Sequence, residues 1–276
     1  MNAKARGPRP RKALGQHFLV DTGVLADITG AVRVPAGGVL VEVGAGTGQL
    51  TAALLAEGHE IVALEIEPRL LAHLRTRFAE ADRLRLLEGD ARLFDFAEAV
   101  PDGRPFGVVG NLPYFAANPI IRHLLEGFPR PHELVVMVQR EVARELFAKP
   151  GKLSLLGISV QIYAEVERLF DVPPIAFDPA PAVHSTLVRL TVREVPLVPA
   201  ARNAAFFALV RGAFRNPRKQ IHNSLSRMPD GEPEAVPGAL AAAGVDPLRR
   251  PETLMIEEWL AILDALGPDT LGPGRA

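Results

Sequence analysis

The sequence predicts an α/β fold with a mainly parallel sheet, followed by a small all-helical domain. Three observations predict it: short apolar runs alternate with amphipathic stretches up to about residue 192, a proline-bearing linker follows at 195–200, and the rest of the chain has an Ala- and Leu-rich helical pattern. Strands that alternate with helices form right-handed crossovers and therefore a parallel sheet. We place a first domain at residues 1–195 and a helical domain at 196–276.

The predicted strands and helices follow one another along the first domain. We expect strands at 39–43, 61–64, 84–87, 106–109, 134–138, 166–170 and 186–192, and helices at 49–57, 68–78, 119–126, 140–147 and 153–163. Pro68 stands near the start of its helix, where a backbone N–H is not needed. In sheets of this kind, ligands bind at the carboxyl ends of the strands.

The composition excludes several classes of protein. The chain has 276 residues, a net charge of −1 and no cysteine, which rules out disulfide scaffolds, Cys-ligated zinc and thiolate catalysis. His123, His132 and His184 lack partners at ligand spacing and are interpreted as structural or surface residues, and we expect no metal. The N-terminus has no apolar signal region, and no apolar stretch approaches the roughly 20 residues of a membrane helix. We therefore expect a cytoplasmic protein that has no membrane partner.

Three glycines follow the first predicted strand, in the stretch "EVGAGTG". Gly44, Gly46 and Gly48 permit a tight turn and a close approach of backbone amides to a ligand. The dinucleotide pattern would need its third glycine where Gln49 stands, and the Gly-Lys-Ser/Thr of a P-loop is absent. The turn therefore favours a ligand without a diphosphate.

Acidic residues follow the next two strands. Glu65 lies about 20 residues beyond the glycines, where an acid can bind both hydroxyls of a ribose. Asp90 belongs to the same edge of the sheet and can accept a hydrogen bond from an adenine amino group. Both carboxylates could instead cap the helices that follow. Together with the glycine turn they predict an adenosine-bearing ligand, and S-adenosylmethionine fits better than NAD.

The stretch "GNLPY" follows the fourth predicted strand. The exocyclic amine of adenine is a poor nucleophile, because its lone pair is delocalised into the ring. The Asn111 carbonyl and the backbone carbonyl of Leu112 or Pro113 could accept from its two N–H bonds and aim the lone pair, without a general base. Tyr114 offers a face on which a flipped base can stack. The alternative is a proline turn with a packed aromatic side chain.

An ordered set of motifs between about residues 11 and 266 resembles the ribosomal RNA adenine N6,N6-dimethyltransferase family. The motifs are "KALGQHFLVD", "EVGAGTGQLT", "ALEIEP", "GDA", "GNLPY", "MVQREVARELFAKPG", "FDPAPAVHST" and "AFRNPRKQIHNSL". The resemblance implies a Rossmann-like class I S-adenosylmethionine-dependent methyltransferase. It also implies the substrate: two adjacent adenosines in the 3′-terminal hairpin loop of small-subunit (16S) ribosomal RNA, each of which receives two methyl groups.

The resemblance assigns roles to single residues of this chain. The implied cofactor residues are Gln16, His17, Leu19, Gly44, Gly46, Glu65, Asp90 and Asn111. The implied target-base residues are Asn111, Pro113, Tyr114 and Phe177. Many relatives have Asn where this chain has His17. The alternative for Phe177 is a core residue before a proline turn.

Two basic segments are candidates for contact with RNA phosphates. The first is an N-terminal arm with Lys4, Arg6, Arg9, Arg11 and Lys12. The alternative interpretation of this arm is a solvated tail. The second lies in an acid-free part of the helical domain and comprises Arg211, Arg215, Arg218 and Lys219, which otherwise form a solvated helix face. We expect small-subunit ribosomal RNA or the immature 30S subunit as partner, a role in subunit biogenesis, and a monomer.

Other functions compete with this interpretation. The nearest is a resistance methyltransferase that acts on large-subunit RNA, against which "GNLPY" and "FDPAPAVHS" weigh. A methyltransferase for glutamine side chains or DNA adenine can share an Asn-Pro-x-aromatic element, but the basic helical domain weighs against it. The last is an assembly factor whose binding matters more than its methylation.

Overall fold

The structure, a computed structural model, describes residue 8 and residues 16–228 and 232–267. The basic side chains of the predicted N-terminal arm, Lys4, Arg6, Arg9, Arg11 and Lys12, lie outside the described residues. The strands and helices predicted for the first domain are all observed, with bounds that agree to within two residues at each end.

The chain divides into two compact units. The first comprises Met1–Ala143 and Ala164–Val192, and the second comprises Arg144–Tyr163 and Arg193–Ala276. The sequence-based boundary at residue 195 placed 144–163 in the first domain, whereas the structure groups this segment with the second unit. A local pattern identifies a helix but does not show which neighbour it packs against.

A seven-stranded sheet forms the centre of the first unit. The strands of this unit are β1 (Phe18–Leu19), β2 (Val39–Val43), β3 (Ile61–Glu65), β4 (Leu84–Glu88), β5 (Phe106–Asn111), β6 (Glu133–Gln139), β7 (Ala164–Val172), β8 (Phe177–Asp178) and β9 (Ser185–Val192). The sheet order is β4-β3-β2-β5-β6-β9-β7, and β9 alone runs in the direction opposite to the other six strands. The predicted fold class, a mainly parallel Rossmann-like sheet, is confirmed.

Burial explains why the central strands read as unbroken apolar runs. Every residue of β2 and β3 is buried, because helices cover both faces of a parallel sheet. The helices of this unit include α1 (Thr22–Ala31), α2 (Gln49–Ala56), α3 (Pro68–Arg77) and α4 (Ala117–Glu126). In α3, proline occupies the first turn and two arginines the last, where they complement the helix dipole. Because β2, β3, β4 and β5 are parallel, the strand ends that bear predicted ligand residues lie at one edge of the sheet.

Two small features of the first unit were not predicted. The helix α1 begins after Asp21, whose side chain accepts from the backbone N–H groups of Gly23 and Val24. Its two glycines weaken the helical pattern of the sequence. The strands β1 and β8 pair over only two residues each, too few for any periodic signal. This pair brings the segment before α1 to the carboxyl edge of the sheet.

The second unit is helical. Its helices within the described residues include α6 (Leu155–Gln161), α7 (Asn203–Phe214), α8 (Ile221–Leu225), α9 (Val236–Ala242) and α10 (Ile256–Leu266), whereas α5 (Arg140–Leu146) runs across the boundary between the units. The fully buried side chains of Trp259 and Phe206 belong to its core. No helix in the described part of the chain has the length and apolar character needed to cross a bilayer.

Candidate cofactor and target-base site

A cleft of about 460 Å³ opens at the carboxyl edge of the sheet in the first unit. Its walls come from the segment before α1, the glycine turn, the ends of β3 and β5, and the turn after β4. The lining residues are Gln16, His17, Phe18, Gly44, Gly46, Glu65, Ile66, Glu67, Pro68, Leu70, Arg92, Asn111, Leu112, Pro113, Tyr114 and Phe115. Eight residues with predicted cofactor or target roles, Asn111 and Pro113 among them, thus line one cleft.

The glycine turn needs its glycines for both conformation and space. Gly44, Gly46 and Gly48 have φ angles of 75°, 60° and 78°, a region that side-chain-bearing residues rarely adopt. A Cβ on Gly46 would lie 3.2 Å from the ring of Phe18, and one on Gly48 would lie 2.6 Å from the ring of Phe78. The turn can therefore hold its backbone against the cleft only with this glycine pattern.

Glu65 is fixed by the backbone around it. It is 5% exposed, and its two carboxylate oxygens accept from the N–H of Gly46 at 2.9 Å and from the N–H of Glu67 at 2.9 Å. Burial raises the pKa of Glu65, against the opposing effect of these backbone hydrogen bonds. The carboxylate thus joins the end of β3 to the glycine turn and stands in the cleft wall.

Glu67 was not singled out from the sequence, although it lines the same cleft. It is 5% exposed and accepts from Nε2 of Gln16 at 2.7 Å and from Nε of Arg69 at 2.9 Å. The Gln16 contact connects the N-terminal segment to the start of α3. The "E-x-E" spacing after a strand was the only available signal, and it does not reveal a partner 51 residues away.

Asp90 makes an ion pair with Arg92, which also lines the cleft. Nε of Arg92 lies 3.0 Å from each carboxylate oxygen, Nη2 lies 2.5 Å from Oδ2, and the Arg92 backbone N–H donates to Oδ1 at 3.0 Å. These hydrogen bonds hold the pKa of Asp90 below its usual value. Asp90 lines a smaller apolar pocket beside Ile66 and Phe115. The sequence prediction did not include Arg92, Ile66 or Phe115.

Asn111 and Tyr114 are held by the N-terminal segment and by β9. Nδ2 of Asn111 donates to the backbone carbonyl of His17 at 2.9 Å. The Tyr114 hydroxyl lies 2.9 Å from Oγ of Ser185, and its ring stacks on that of His17 with a centroid distance of 5.8 Å. Burial raises the pKa of the Tyr114 hydroxyl. Ser185 was not predicted, because it lies 71 residues further along the chain.

Leu19 and Phe177 lie behind the cleft rather than in it. They face each other in the β1–β8 pair and are 5% and 4% exposed. Both belong to the hydrophobic core. Leu19 also lines a small cavity next to the glycine turn. The ring of Phe177 is packed into the core, and its predicted contact with a flipped adenine stays a prediction.

The predicted RNA-binding residues belong to the second unit. Arg211 lies in the last turn of α7, where its guanidinium is 5.9 Å from the centre of the Phe207 ring. Arg215 ends this helix, and Arg218 and Lys219 follow it. All four side chains are exposed. Their role in RNA binding stays a prediction.

The cleft residues fit an adenosine-bearing cofactor. A glycine turn in which a Cβ would be crowded, a buried carboxylate on the next strand and a second carboxylate one strand further supply donors and acceptors in the order that such a ligand needs. Arg92 is the only Lys or Arg among the described residues that line the cleft, and its guanidinium is paired with Asp90.

Solved structures place the chain in a class of enzymes. It superposes on the 23S rRNA methyltransferase ErmE with a TM-score of 0.71 at 27% identity, over 90% of this chain and 99% of that one. A dimethyladenosine transferase from Plasmodium falciparum gives a TM-score of 0.74 at 23% identity, over 90% and 96%, and shows the same fold. The fold and the cleft define an S-adenosylmethionine-dependent methyltransferase.

The family follows from the sequence. The chain belongs to the ribosomal RNA adenine dimethylase family, which matches residues 7–266. It is 40% identical to the ribosomal RNA small subunit methyltransferase A of Moorella thermoacetica, over 94% of this chain and 93% of that protein. The protein of the same name from Pseudomonas aeruginosa is 39% identical, over 94% and 95%. The predicted family and enzyme class are thus confirmed.

Proposed function

We propose that this protein transfers methyl groups from S-adenosylmethionine to N6 of two adjacent adenosines in the 3′-terminal hairpin loop of small-subunit ribosomal RNA. Each adenosine receives two methyl groups. The observation that carries the proposal is the shared cleft, which is lined both by Glu65 and by the target-amine residues Asn111 and Tyr114. The relatives named ribosomal RNA small subunit methyltransferase A support this substrate.

The residues of the first unit would hold the cofactor. Gly44 and Gly46 would line its methionine part, Glu65 its ribose and Asp90 its adenine. The segment that contains Gln16, His17 and Leu19, together with Asn111, would form the remaining wall. When bound, S-adenosylmethionine supplies an electrophilic methyl group on a sulfonium. The buried carboxylate of Glu65 is held by two backbone amides, so it can accept from ribose hydroxyls without rearrangement.

Asn111 would orient the target amine. Because its Nδ2 donates to the His17 carbonyl, Oδ1 is the end that accepts from the amine. The Pro113 carbonyl already accepts from the N–H of Ala116 at 2.9 Å, which favours the Leu112 carbonyl as the second acceptor. Two acceptors favour a tetrahedral nitrogen, which reduces the delocalisation of its lone pair into the ring and aims that lone pair at the methyl donor. The methylated amine is acidic while cationic and loses its proton to water.

Tyr114 would hold the flipped base by stacking, which is worth about 1–3 kcal/mol per base. Its hydroxyl is fixed by Ser185, so the ring keeps one orientation through both methyl transfers. The second transfer needs a pocket that readmits an amine with one methyl and one N–H. A hairpin loop suits this chemistry, because its unstacked bases cost less to flip.

The four basic residues of the helical unit would bind RNA phosphates. Arg211, Arg215, Arg218 and Lys219 are exposed and follow one another within nine positions of the chain. Such contacts release counterions, so binding weakens as salt increases. We propose the immature 30S subunit as the physiological partner, the cytoplasm as the place of action, and a monomer as the active form.

Two alternatives remain to be tested. The likeness to a 23S rRNA methyltransferase favours a large-subunit target, but at 27% identity it is weaker than the 40% identity to a small-subunit enzyme. The second alternative is an assembly factor whose binding matters more than its chemistry. It predicts that subunit maturation survives the loss of methylation.

One complementation experiment tests the substrate, and the ribosomal subunit profile of the Asn111→Ala strain tests whether maturation depends on methylation. A strain that lacks this protein is supplied with the wild type, with Asn111→Ala, or with a variant that has alanine at all four basic positions. We expect mass spectrometry to find dimethyladenosine in the 3′-terminal loop only with the wild type, and reduced methylation with the basic variant that recovers at low salt in vitro. Dimethyladenosine that persists there without the protein, or appears in large-subunit RNA instead, would refute the proposal.

A further inference from the structure

We propose that the His17 side chain is a positioning residue for the target base, acting through Tyr114. This inference rests on the proposed function and deepens it. The predicted role of His17 was a contact with the cofactor. His17 lines the cleft, and its ring also stacks on Tyr114, with a centroid distance of 5.8 Å and an interplanar angle of 28°.

The His17 ring is itself anchored. Its Nδ1 lies 2.7 Å from the backbone carbonyl of Pro179, and because a carbonyl only accepts, Nδ1 carries the proton of this bond. Pro179 directly follows β8, and the Ser185 hydroxyl that fixes Tyr114 begins β9. A single segment, residues 177–185, therefore fixes Tyr114 at two points: directly through Ser185 and indirectly through His17.

Tyr114 lines the cleft, and in this proposal the ring face turned away from His17 receives the nucleobase. A ring that is free to turn loses that freedom when a base stacks on it, and the loss reduces affinity. With one face covered by His17 and the hydroxyl bound to Ser185, Tyr114 has little such freedom left to lose. The stack with His17 thus prepares the opposite face for the target adenine.

The backbone of His17 has a separate role. Its carbonyl accepts from Nδ2 of Asn111 at 2.9 Å and so sets which end of that amide meets the target amine. A side-chain substitution leaves this carbonyl in place. Replacement of the ring therefore isolates the effect on Tyr114 from the effect on Asn111.

The test is a double-mutant cycle with purified full-length protein and an RNA hairpin that carries two adjacent adenosines in its loop. The proteins are the wild type, His17→Ala, Tyr114→Ala and the double variant. We expect His17→Ala to raise KM for the hairpin, and its Kd measured by fluorescence anisotropy without cofactor, about twofold to tenfold, the range that an aromatic pair contributes. Because the hairpin Kd is measured without cofactor, it reports the stack with Tyr114 separately from any contact of His17 with the cofactor. In the Tyr114→Ala background, His17→Ala should add no further effect.

Two further variants guard the conclusion. His17→Phe keeps a ring that can stack and should restore most of the hairpin affinity. This variant also separates the loss of stacking from any folding defect of His17→Ala. His59→Ala changes a histidine before β3, at the opposite edge of the sheet, and should behave as the wild type. The inference is overturned if His17→Ala weakens cofactor binding and leaves the hairpin Kd unchanged, or if the two substitutions are additive. A wild type that neither binds nor methylates the hairpin and the immature subunit overturns the proposed function itself.

Discussion

The ends of two neighbouring strands carry the two carboxylates that were expected to bind one ligand, and they differ in almost every physical respect. Glu65 at the end of β3 is 5% exposed and accepts from two backbone N–H groups. Asp90, two residues beyond β4, has a side chain that is 22% exposed and pairs with the flexible side chain of Arg92. Burial raises the pKa of Glu65, whereas the Arg92 hydrogen bonds lower the pKa of Asp90.

The difference separates a fixed contact from an exchangeable one. The partners of Glu65 are backbone amides, which cannot leave without distorting the glycine turn. The partner of Asp90 is an exposed guanidinium, and exposed ion pairs contribute only about 0–1 kcal/mol. A ligand that binds both carboxylates as proposed would therefore meet a preorganised acceptor at β3 and an acceptor at β4 that must first release Arg92 in part.

The largest expected effect is at the fixed contact. Glu65→Ala removes the carboxylate that would accept from two ribose hydroxyls, each a hydrogen bond to a charged group worth about 1.5–3 kcal/mol. Titration calorimetry should show a cofactor affinity at least about 100-fold lower than that of the wild type. Glu88→Ala is the matched control, because Glu88 pairs with Glu65 across the β3–β4 ladder but is exposed. Equal losses in the two variants would contradict a specific role for Glu65.

The sequence predicted the position of Glu65 at the strand edge, but it did not predict the ion pair of Asp90 with Arg92. The apolar runs of β2 and β3 located the end of each strand, and Glu65 follows from them because strand ends in a parallel sheet share an edge. Arg92 could not be predicted as a partner of Asp90, since a side-chain rotamer decides this pair. The stack of His17 on Tyr114 and the bond to Ser185 depend on how distant segments meet, and no local pattern encodes that.

The sequence does not distinguish the two roles considered for Phe177. Phe177 lies in a motif that resembles the family's target pocket, yet its ring is 4% exposed and packs in the core. An aromatic residue before a proline has the same sequence pattern in either role. The grouping of 144–163 with the helical unit was equally inaccessible, because it depends on contacts and not on periodicity.

A second buried carboxylate extends the comparison to pH. Burial raises the pKa of Glu42 from 4.5 to about 7, although the Thr51 hydroxyl donates to it at 2.6 Å. The folded protein thus binds this proton more tightly than the unfolded chain, so the associated stability is complete below pH 4.5 and is lost as the pH rises through about 7. We expect Glu42→Gln, which keeps an acceptor for Thr51, to lose less stability than the wild type between pH 5 and 8, by on the order of 1–3 kcal/mol.

Urea unfolding at a series of pH values measures this difference. Glu57→Gln changes an exposed glutamate at the end of α2, and its stability profile should follow that of the wild type. Parallel profiles for Glu42→Gln and the wild type would mean that the folded and unfolded states of the wild type bind the Glu42 proton equally tightly. Glu42 would then lack the burial-raised pKa that distinguishes Glu65 from Asp90.

The smallest effect is expected at the exchangeable contact. Asp90→Ala should lower the cofactor affinity only about twofold to tenfold, the range of one ordinary hydrogen bond. Arg92→Ala should raise it by up to about fivefold, since Asp90 then has no ion pair to give up. Arg122→Ala breaks another exposed ion pair, with Glu126 on α4, and should leave calorimetric affinity unchanged. If Arg92→Ala instead weakened binding as strongly as Glu65→Ala, Arg92 would itself be a ligand residue, and the β4 end would be as fixed as the β3 end.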